Sequence, residues 1–417
     1  MNQSPWVYII SLQVFIIGGY LMLSPVLSRR PQWKSRVDQD ERRRCTSDLD
    51  CSLNGICNNN GVCLCDRPWY GPECARLDVL PVHFPQGYGM LPNQTTWGGG
   101  ILIEEIEAGI GGETKRRLYH LYVVRMTNNC TLEHWTKNSR VDHAVSESPT
   151  GPYRFLDVAI PTQSHNPVPI VLKDGTYAIF HIGSGAGDVN GGADCNNSKN
   201  YGLLFEPKME EVADSHLEAT GSSIHVSDSL YGPWLPVVNN TLGFCNNPAP
   251  FVHPNGTIYV GCRHGIKHST LRRAETVGGP YEEIANLTGM TPDGYVLEDP
   301  QLYVDHRGHF HGIYHAYRLY PNASNCENEI VASHSYSVDG IHWHLSKIPP
   351  YDTQLTLASG KTITLATRER PKPLIQNGRM THMVQSACGV PNCYSRTGCV
   401  DCKYKNWDFT LVLPLNI

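Results

Sequence analysis

The sequence predicts an all-β protein whose main part is a five-bladed β-propeller. A first phrase, in which a proline is followed seven or eight residues later by a turn glycine and an apolar run, starts near His165, Asn246, Glu298 and Glu369. A second phrase, a turn that ends in an aromatic residue, interleaves with it as "SESPTGPY", "SDSLYGPW", "ETVGGPY" and "SVDGIHW". The composition agrees, because 38 glycines, 29 prolines and only 18% charged residues favour many short strands.

The N-terminal 28 residues carry no charged side chain. Their apolar stretch, Trp6 to Leu27, has about the ~20 residues that a helix needs to cross a bilayer. We predict an uncleaved signal anchor at residues 1–28, with a cleaved signal peptide as the alternative. A basic stem at residues 29–44 follows.

Fifteen cysteines, and seven N-glycosylation sequons beyond the N-terminus, predict an oxidising compartment of the secretory pathway. With the anchor, the protein is a single-pass type II membrane protein of the Golgi lumen or cell surface; with a cleaved signal peptide it is secreted. A formal net charge of −5, without a basic stripe beyond the stem, speaks against a nucleic-acid partner. The sequons lie at Asn93, Asn129, Asn196, Asn239, Asn255, Asn286 and Asn322.

Six cysteines fall close together after the stem, at Cys45, Cys51, Cys57, Cys63, Cys65 and Cys74. Their number alone leaves the connectivity open. A zinc site is disfavoured because paired C-x-x-C units are absent. A segment this short cannot build a core, so disulfides are expected to hold it.

The C-x-C of Cys63 and Cys65, followed by "DRPWYGPEC", resembles an epidermal-growth-factor-like module over residues 45–76. The resemblance implies the disulfides Cys45–Cys57, Cys51–Cys63 and Cys65–Cys74. It also implies a role in spacing or in contact with a protein partner. Basic residues at 42–44 replace the acidic residues of calcium-binding versions, so no calcium is expected at this module.

The remaining residues, 90–417, are predicted to form the propeller. Each first phrase indicates a hairpin, and each second phrase indicates the turn between the third and fourth strands of one unit. Counting both phrases gives five units of ~50 residues, the first of which starts at Trp97. A β-sandwich with coincidental turns is the alternative.

The first strand of each propeller blade lines the central channel. The head of each first phrase is therefore predicted to lie at a shared funnel. Because side chains alternate along a strand, Glu298 should face the funnel and Asp299 should point away from it. The four head pairs are His165-Asn166, Asn246-Asn247, Glu298-Asp299 and Glu369-Arg370.

Phrases such as "NNPAPFVHPNGTIYV" and "EDPQLYVDHRGHFHGIY" resemble those of the five-bladed glycoside hydrolases of family 43, over roughly Trp97 to Leu415. The resemblance implies inverting hydrolysis with an Asp general base, an Asp that tunes pKa, and a Glu general acid. Glu298 matches the acid. Asn246 and Asn247 stand where the tuning Asp is expected, and no Asp stands at the base position.

Two residues are candidates for the missing base on their own chemistry rather than from the family pattern. Asp142 could reach the channel, and His165 could accept a proton near neutral pH. Arg263 and Arg370 are candidates to bind an acidic substrate group, because a guanidinium offers two parallel donors. The other predicted substrate-binding residues are Asn166, Asn247, Trp97, His264 and His315.

Histidines of the first hairpins, among them His181, His311 and His382, could bind a metal or a sugar, or could pack between strands. No cofactor or metal is predicted, although the channel leaves room for a structural ion. Nine cysteines lie beyond the module, so one thiol should be free or intermolecular. Cys388, Cys393, Cys399 and Cys402 are expected to form disulfides that staple an insertion in the fifth blade.

The function predicted from these observations is that of a glycoside hydrolase-like enzyme that acts on a glycan in the funnel, with Glu298 as general acid. A carbohydrate-binding or adhesive pseudoenzyme is the first alternative, since asparagine and histidine replace the other catalytic heads. A protein-binding propeller is the second.

Overall fold

The computed structural model describes residues 44–83, 86–91, 94–106, 116–195, 221–237, 242, 244–265, 268–318, 331–365, 367–388 and 408–417. From Arg44 to Ile417 these residues form one compact unit. The predicted signal anchor and all of the stem except Arg44 lie outside them. No helix in these ranges is both long and apolar enough to cross a membrane.

The cysteine module consists of a short 3-10 helix, Asp48–Cys51, and two small antiparallel pairs of strands. Its three disulfides are Cys45–Cys57, Cys51–Cys63 and Cys65–Cys74, so the implied pairing is confirmed. The strands are β1 (Gly55–Cys57), β2 (Cys63–Cys65), β3 (Trp69–Tyr70) and β4 (Arg76–Leu77).

Five antiparallel sheets follow, each in consecutive strand order. Blade one contains β5 (Thr96–Ile106), β6 (Arg116–Met126), β7 (Ser139–Ser146) and β8 (Arg154–Ile160). Blade two contains β9 (His165–Val171), β10 (Tyr177–Ile182), β11 (Ser222–Ser227) and β12 (Leu235–Pro236). Blade three contains β13 (Asn246–Val252), β14 (Ile258–His264), β15 (His268–Ala274) and β16 (Glu282–Thr288).

Blade four contains β17 (Tyr295–Val304), β18 (Phe310–Arg318), β19 (Ala332–Ser337) and β20 (His344–Leu345). A separate hairpin, β21 (Gln354–Thr356) and β22 (Thr362–Thr364), precedes the last blade. Blade five contains, in its described part, β23 (Thr367–Gln376), β24 (Arg379–Cys388) and β25 (Asp408–Pro414). The four interleaved turn phrases join third and fourth strands, as predicted.

The five first strands form a closed ring. Each of β5, β9, β13 and β17 packs against the next first strand, and β23 packs against β5. The chain that leaves the cysteine module completes blade five, because Val79 pairs with Leu415 and Tyr88 pairs with Thr410 of β25. The predicted five-bladed propeller is therefore confirmed, and the β-sandwich alternative is wrong.

Apolar residues of facing strands hold neighbouring blades together. Phe180 of blade two packs with Val260 of blade three, and Phe251 of blade three packs with Leu302 of blade four. These side chains alternate along their strands with residues that face the other side of the sheet. Burial of such layers is the main stabilising contribution that a propeller has available.

Every first strand carries an irregularity at its head. The residue there has a positive φ of 62° at Gly98, 58° at Asn166, 49° at Asn247, 53° at Asp299 and 54° at Arg370. The pairing register shifts at the same places. Asn and Asp tolerate this left-handed conformation better than most residues. A bulge re-aims side chains, so simple alternation does not hold at these heads.

The cysteine module packs on blade four. The Arg307 guanidinium, in the turn between β17 and β18, lies 2.7 Å from a carboxylate oxygen of Asp66 and donates to the Leu53 carbonyl at 2.5 Å. The ring of Trp69 lies 4.8 Å from that of His334 on β19. The module and the propeller are thus joined by charged and aromatic contacts.

Two further disulfides, Cys130–Cys195 and Cys245–Cys262, lie in the propeller. Cys388 is also disulfide-bonded, and the staple of blade five stays a prediction. The other propeller cysteines, Cys326, Cys393, Cys399 and Cys402, lie outside the described residues. Three sequon asparagines are described, and all are exposed: Asn129, Asn255 and Asn286. The other four sequon asparagines lie outside the described residues.

Buried histidines pair between the second and third strands of three blades. His181 Nε2 lies 3.0 Å from His225 Nδ1 in blade two, and His311 Nδ1 lies 3.1 Å from His334 Nε2 in blade four. A third pair in blade one joins His120 Nδ1 to His143 Nε2 at 2.9 Å. His181 and His311 are therefore packed inside blades rather than presented to a sugar.

These pairs predict a loss of stability in acid. Burial lowers the pKa of His181 to about 3 and that of His225 to about 4. Both lie below the unfolded value, so the unfolded chain binds more protons as the pH falls below ~6.5. Each histidine then removes about 1.4 kcal/mol of unfolding free energy per pH unit until its folded pKa is reached.

Denaturant unfolding at pH 7, 6, 5 and 4 measures this effect. His225→Gln should flatten the dependence on pH by about 1.4 kcal/mol per unit, whereas His268→Gln, at an exposed position of β15, should leave it unchanged. Equal slopes for wild type and His225→Gln would contradict the prediction.

Candidate active site at the head end of the channel

The channel has two different ends. The first strands begin and the second strands end at one end of the channel, which we call the head end. The hairpin turns that join them lie at the opposite end, which we call the turn end. The connections from second to third strands therefore leave from the head end. In blade two this connection spans from Ile182 to Ser222. Long connections at one end of a rigid scaffold are typical of a functional face.

Four residues with positive φ close the channel below the head end. Asn166 Nδ2 donates to Asn247 Oδ1 at 2.7 Å, and Arg370 Nη1 donates to the same oxygen at 3.0 Å. Arg370 Nη1 also bonds Asp299 Oδ1. Because Arg370 and Asn247 come from blades five and three, which are not neighbours, their bond crosses the channel. We call Asn166, Asn247, Asp299 and Arg370 the channel plug.

The plug changes the roles expected of its members. Asn166, Asn247 and Asp299 are 2%, 4% and 1% exposed, and each of them is hydrogen-bonded to another of the three or to Arg370. The expectation that Asp299 points away from the funnel is wrong, since the bulge turns it inward. Arg370 is held by Asp299 and Asn247, so it is not free to bind an acidic substrate group.

Two glutamates lie above the plug, at the head end itself. Glu298 and Glu369 are the first head residues of blades four and five, and 21% and 17% of their side chains are exposed. His315 Nδ1 lies 3.7 Å from Glu369 Oε2 and 4.0 Å from Asp299 Oδ2. Two neighbouring blades thus bring a pair of carboxyl groups and an imidazole into one partly exposed cluster.

Glu298 is held in its ionised form. Burial by itself raises the pKa of this carboxyl, but the positive charges of Arg263 and, next, Arg370 more than offset burial, so the pKa lies below its ordinary value. Arg263 Nη1 forms an ion pair with Glu298 Oε1. A general acid must carry a proton, whereas Arg263, which reaches Glu298 from blade three, favours the ionised form of this carboxyl.

Glu369 has the opposite behaviour. Burial, and next the negative charge of Glu298, raise the pKa of Glu369 to about 8. At neutral pH one glutamate of the pair is therefore charged and the other carries a proton. The Asp408 carboxyl on β25 is also raised, to a pKa of about 8, by burial and by Glu369. Glu369 had no role predicted from the sequence, although it heads its blade phrase as Glu298 does.

Neither candidate for the general base is suited to that role. Asp142 lies on β7, the third strand of blade one, with no exposed surface. It accepts hydrogen bonds from Tyr88 at 3.0 Å and from Arg140 at 2.8 Å. His165 Nδ1 lies 2.8 Å from Ser139 Oγ. Burial, with the charge of Arg370, holds the pKa of His165 well below its ordinary value, so it is not a base near neutral pH.

The other predicted binding residues fall into two groups. Trp97 is 2% exposed and its ring lies 6.0 Å from the Arg370 guanidinium, so it packs against the plug. His264 Nε2 lies 2.9 Å from Thr270 Oγ1 of its own blade. Arg263 and His315 do belong to the head-end cluster, where burial lowers the pKa of His315 to about 4 and keeps it neutral.

The head-end cluster contains three groups that could bind the structural ion for which the channel leaves room. Carboxylate oxygens of Glu298 and Asp299 and a ring nitrogen of His315 lie within 4.8 Å of one another. Arg263 and Arg370 already balance both carboxylates. A divalent cation needs oxygen donors whose charge is not already neutralised, so this donor set does not fit one.

Comparison with known families assigns the cysteine module. Residues 45–74 match the EGF-like domain. The module is an EGF-like domain. A curated relative, disintegrin and metalloproteinase domain-containing protein 11 of Xenopus laevis, is 46% identical over 37 residues, which are 9% of this chain and 8% of that protein. The chain therefore spans only a small part of this relative.

Several solved structures are similar to the propeller. Zg3597, a family 117 glycoside hydrolase of Zobellia galactanivorans, is 12% identical over 81% of this chain and 88% of that chain. The β-1,3-galactosidase BT0265 of family 43 is 13% identical over 79% and 60%. An exo-β-1,3-galactanase of Phanerochaete chrysosporium is 12% identical over 79% and 64%. Each has a TM-score of 0.45, so none bears on the substrate or activity of this chain.

Proposed function

We propose that this protein is a glycan-cleaving enzyme in which Glu369 donates the proton and Glu298 is the ionised carboxylate. The observation that carries the proposal is the pair of glutamates from neighbouring blades, partly exposed at the head end, whose pKa values are shifted in opposite directions. Pairs of carboxyl groups with separated pKa values are the working parts of glycoside hydrolysis.

The reaction that this pair supports is addition of water across a glycosidic bond. Glu369 gives its proton to the leaving-group oxygen as the bond from that oxygen to the sugar breaks. The water that adds to the sugar gives its proton to Glu298. Arg263 keeps Glu298 charged beforehand, so that it can also stabilise the positive charge that develops on the sugar ring.

The choice of a glycan as substrate rests on the blade phrases, which are similar to those of family 43 around Glu298. The proposed roles differ from that pattern, since Glu369 rather than Glu298 carries the proton in the free protein. The EGF-like domain with its three disulfides supports a luminal or extracellular location. We propose in addition that the N-terminal segment anchors the protein in a membrane and that the EGF-like domain binds a protein partner.

One observation favours a carbohydrate-binding pseudoenzyme as the second candidate. The heads of blades one to three offer no carboxylate, since their residues with positive φ are Gly98, Asn166 and Asn247. A site with carboxyl groups from only two neighbouring blades could bind a sugar without cleaving it.

A glycan screen distinguishes the candidates. The full chain, produced in a secretory host, is applied to a glycan array, and each bound glycan is then incubated with the protein in solution while new reducing ends are counted. Release of reducing ends supports the enzyme. Binding without release supports the pseudoenzyme. Neither binding nor release would contradict both and favour the protein-binding propeller.

A further inference from the structure

A cavity opens at the turn end of the channel. Its volume is about 860 Å³, and residues of all five first strands line it, from Gly100 in blade one to Lys372 in blade five. The volume lies in the ~300–1,000 Å³ range of small-molecule sites. The channel plug separates this cavity from the glutamate pair, because the lining residues follow the plug residues along the first strands of blades two to five.

The wall of this turn-end cavity is only slightly more apolar than polar, and it is rich in proline. It includes the residues Ile101, Val168, Pro169, Pro250, Leu302 and Pro373. Proline and branched side chains of five separate strands give a rigid surface that loses little entropy when a ligand binds. An apolar ligand body of matching length would be stabilised by leaving water.

Charged groups at the outer rim of the cavity already have partners. Asp305 lies 3.6 Å from Arg307 and 3.5 Å from His311. Arg307 also lies 2.7 Å from Asp66 of the EGF-like domain. The rim is therefore electrostatically balanced, and it joins the cavity mouth to the EGF-like domain.

Lys372 differs from these rim residues. It stands two residues after Arg370, lines the inner part of the cavity and is only 5% exposed. Within the described ranges its amine makes no hydrogen bond or ion pair. Burial, and next the charge of Arg370, lower the pKa of Lys372 to about 7. A buried ammonium without an anion is costly, and an anionic ligand would remove that cost.

We propose that the turn-end cavity binds a small amphipathic carboxylate, whose acid group pairs with Lys372 and whose apolar body lies along the proline-rich wall. A single carboxylate matches the single amine. A doubly charged phosphate would leave one charge without a partner among apolar side chains, which is unfavourable. This site is independent of the glutamate pair, since the plug lies between them.

Octanoate is the probe that tests the proposal, with 1-octanol as its uncharged counterpart. Calorimetric titration of the full chain should show octanoate binding that weakens about tenfold or more in Lys372→Met, because a charge-assisted hydrogen bond is lost. Lys361→Met, at an exposed position, should bind octanoate as the wild type does. Binding of 1-octanol should be the same in all three proteins.

A second measurement needs only the wild type and covers the case in which Lys372→Met does not fold. Amine acetylation followed by mass spectrometry should show that octanoate protects Lys372 and leaves Lys361 reactive. Absence of octanoate binding, equal octanoate affinity in wild type and folded Lys372→Met, or labelling of Lys372 that octanoate does not slow would each overturn the proposal.

Discussion

Glu369→Gln is expected to abolish turnover of any glycan that the wild type cleaves, with a loss of about 10²–10⁴-fold in kcat. The amide keeps the size and much of the hydrogen bonding of the carboxyl, but it has no proton to give to a leaving group. Glycan affinity and the unfolding transition should stay close to those of the wild type, because Glu369 is partly exposed and, unlike Glu298, forms no ion pair with an arginine of the described residues.

The matched control is Glu275→Gln, at an exposed position after β15, which should keep full activity. Glu298→Gln should also lose turnover, and it should in addition free Arg263 from its ion pair. If Glu369→Gln kept full activity and Glu298→Gln lost it, Glu298 would be the proton donor, and the proposed division of roles would be contradicted.

Arg370→Leu is expected to cause a large loss of stability. It leaves the Asp299 carboxylate, whose side chain is 0% exposed, without its counter-ion inside the channel. Removing one partner of a buried ion pair typically costs about 3–5 kcal/mol of unfolding free energy. Asn247 loses a donor at the same time.

Denaturant unfolding at pH 7 measures this cost. Arg379→Leu, at an exposed position of β24, is the control and should change the free energy of unfolding by less than about 0.5 kcal/mol. Adding Asp299→Asn to Arg370→Leu should recover part of the loss, since the uncompensated charge is then absent. Equal stability of Arg370→Leu and Arg379→Leu would show that the plug does not hold the channel together.

The blades could be predicted from the sequence because their signals are local. A proline, a turn glycine and an aromatic turn recur with the period of one blade, and each reports on residues that are close along the chain. The same locality placed His165 and Asn246 at the starts of β9 and β13, where the structure has them, and it placed Glu298 and Glu369 within the first four residues of β17 and β23.

The chemistry of the site could not be predicted in the same way. The plug depends on a bulge that turns Asp299 inward, whereas alternation along a regular strand had assigned it outward. The ionised state of Glu298 depends on Arg263, which is 35 residues away in another blade. Such contacts follow from how blades pack, and no periodicity in one sequence reports them.

One signal in the sequence could have indicated the bulge. Asn166, Asn247 and Asp299 are residue types that accept positive φ, and each stands at the same place before a proline. Glu369 could have been found by giving equal weight to both acidic heads. The raised pKa of Glu369 could not have been predicted from the sequence, since it depends on burial and on Glu298 from the neighbouring blade.

Titration of the two glutamates tests the proposed pair most directly. The protein is labelled with carbon-13 at the side-chain carboxyl groups of glutamate, and NMR follows each group between pH 3 and pH 10. The variants Glu298→Gln and Glu369→Gln assign the two signals, because each variant lacks one of them. We predict one carboxyl with an apparent pKa of about 8 that disappears in Glu369→Gln and moves down in Glu298→Gln, beside a second held below its ordinary value. Two glutamates that both titrate between ~4 and 5, as exposed carboxyls do, would contradict it.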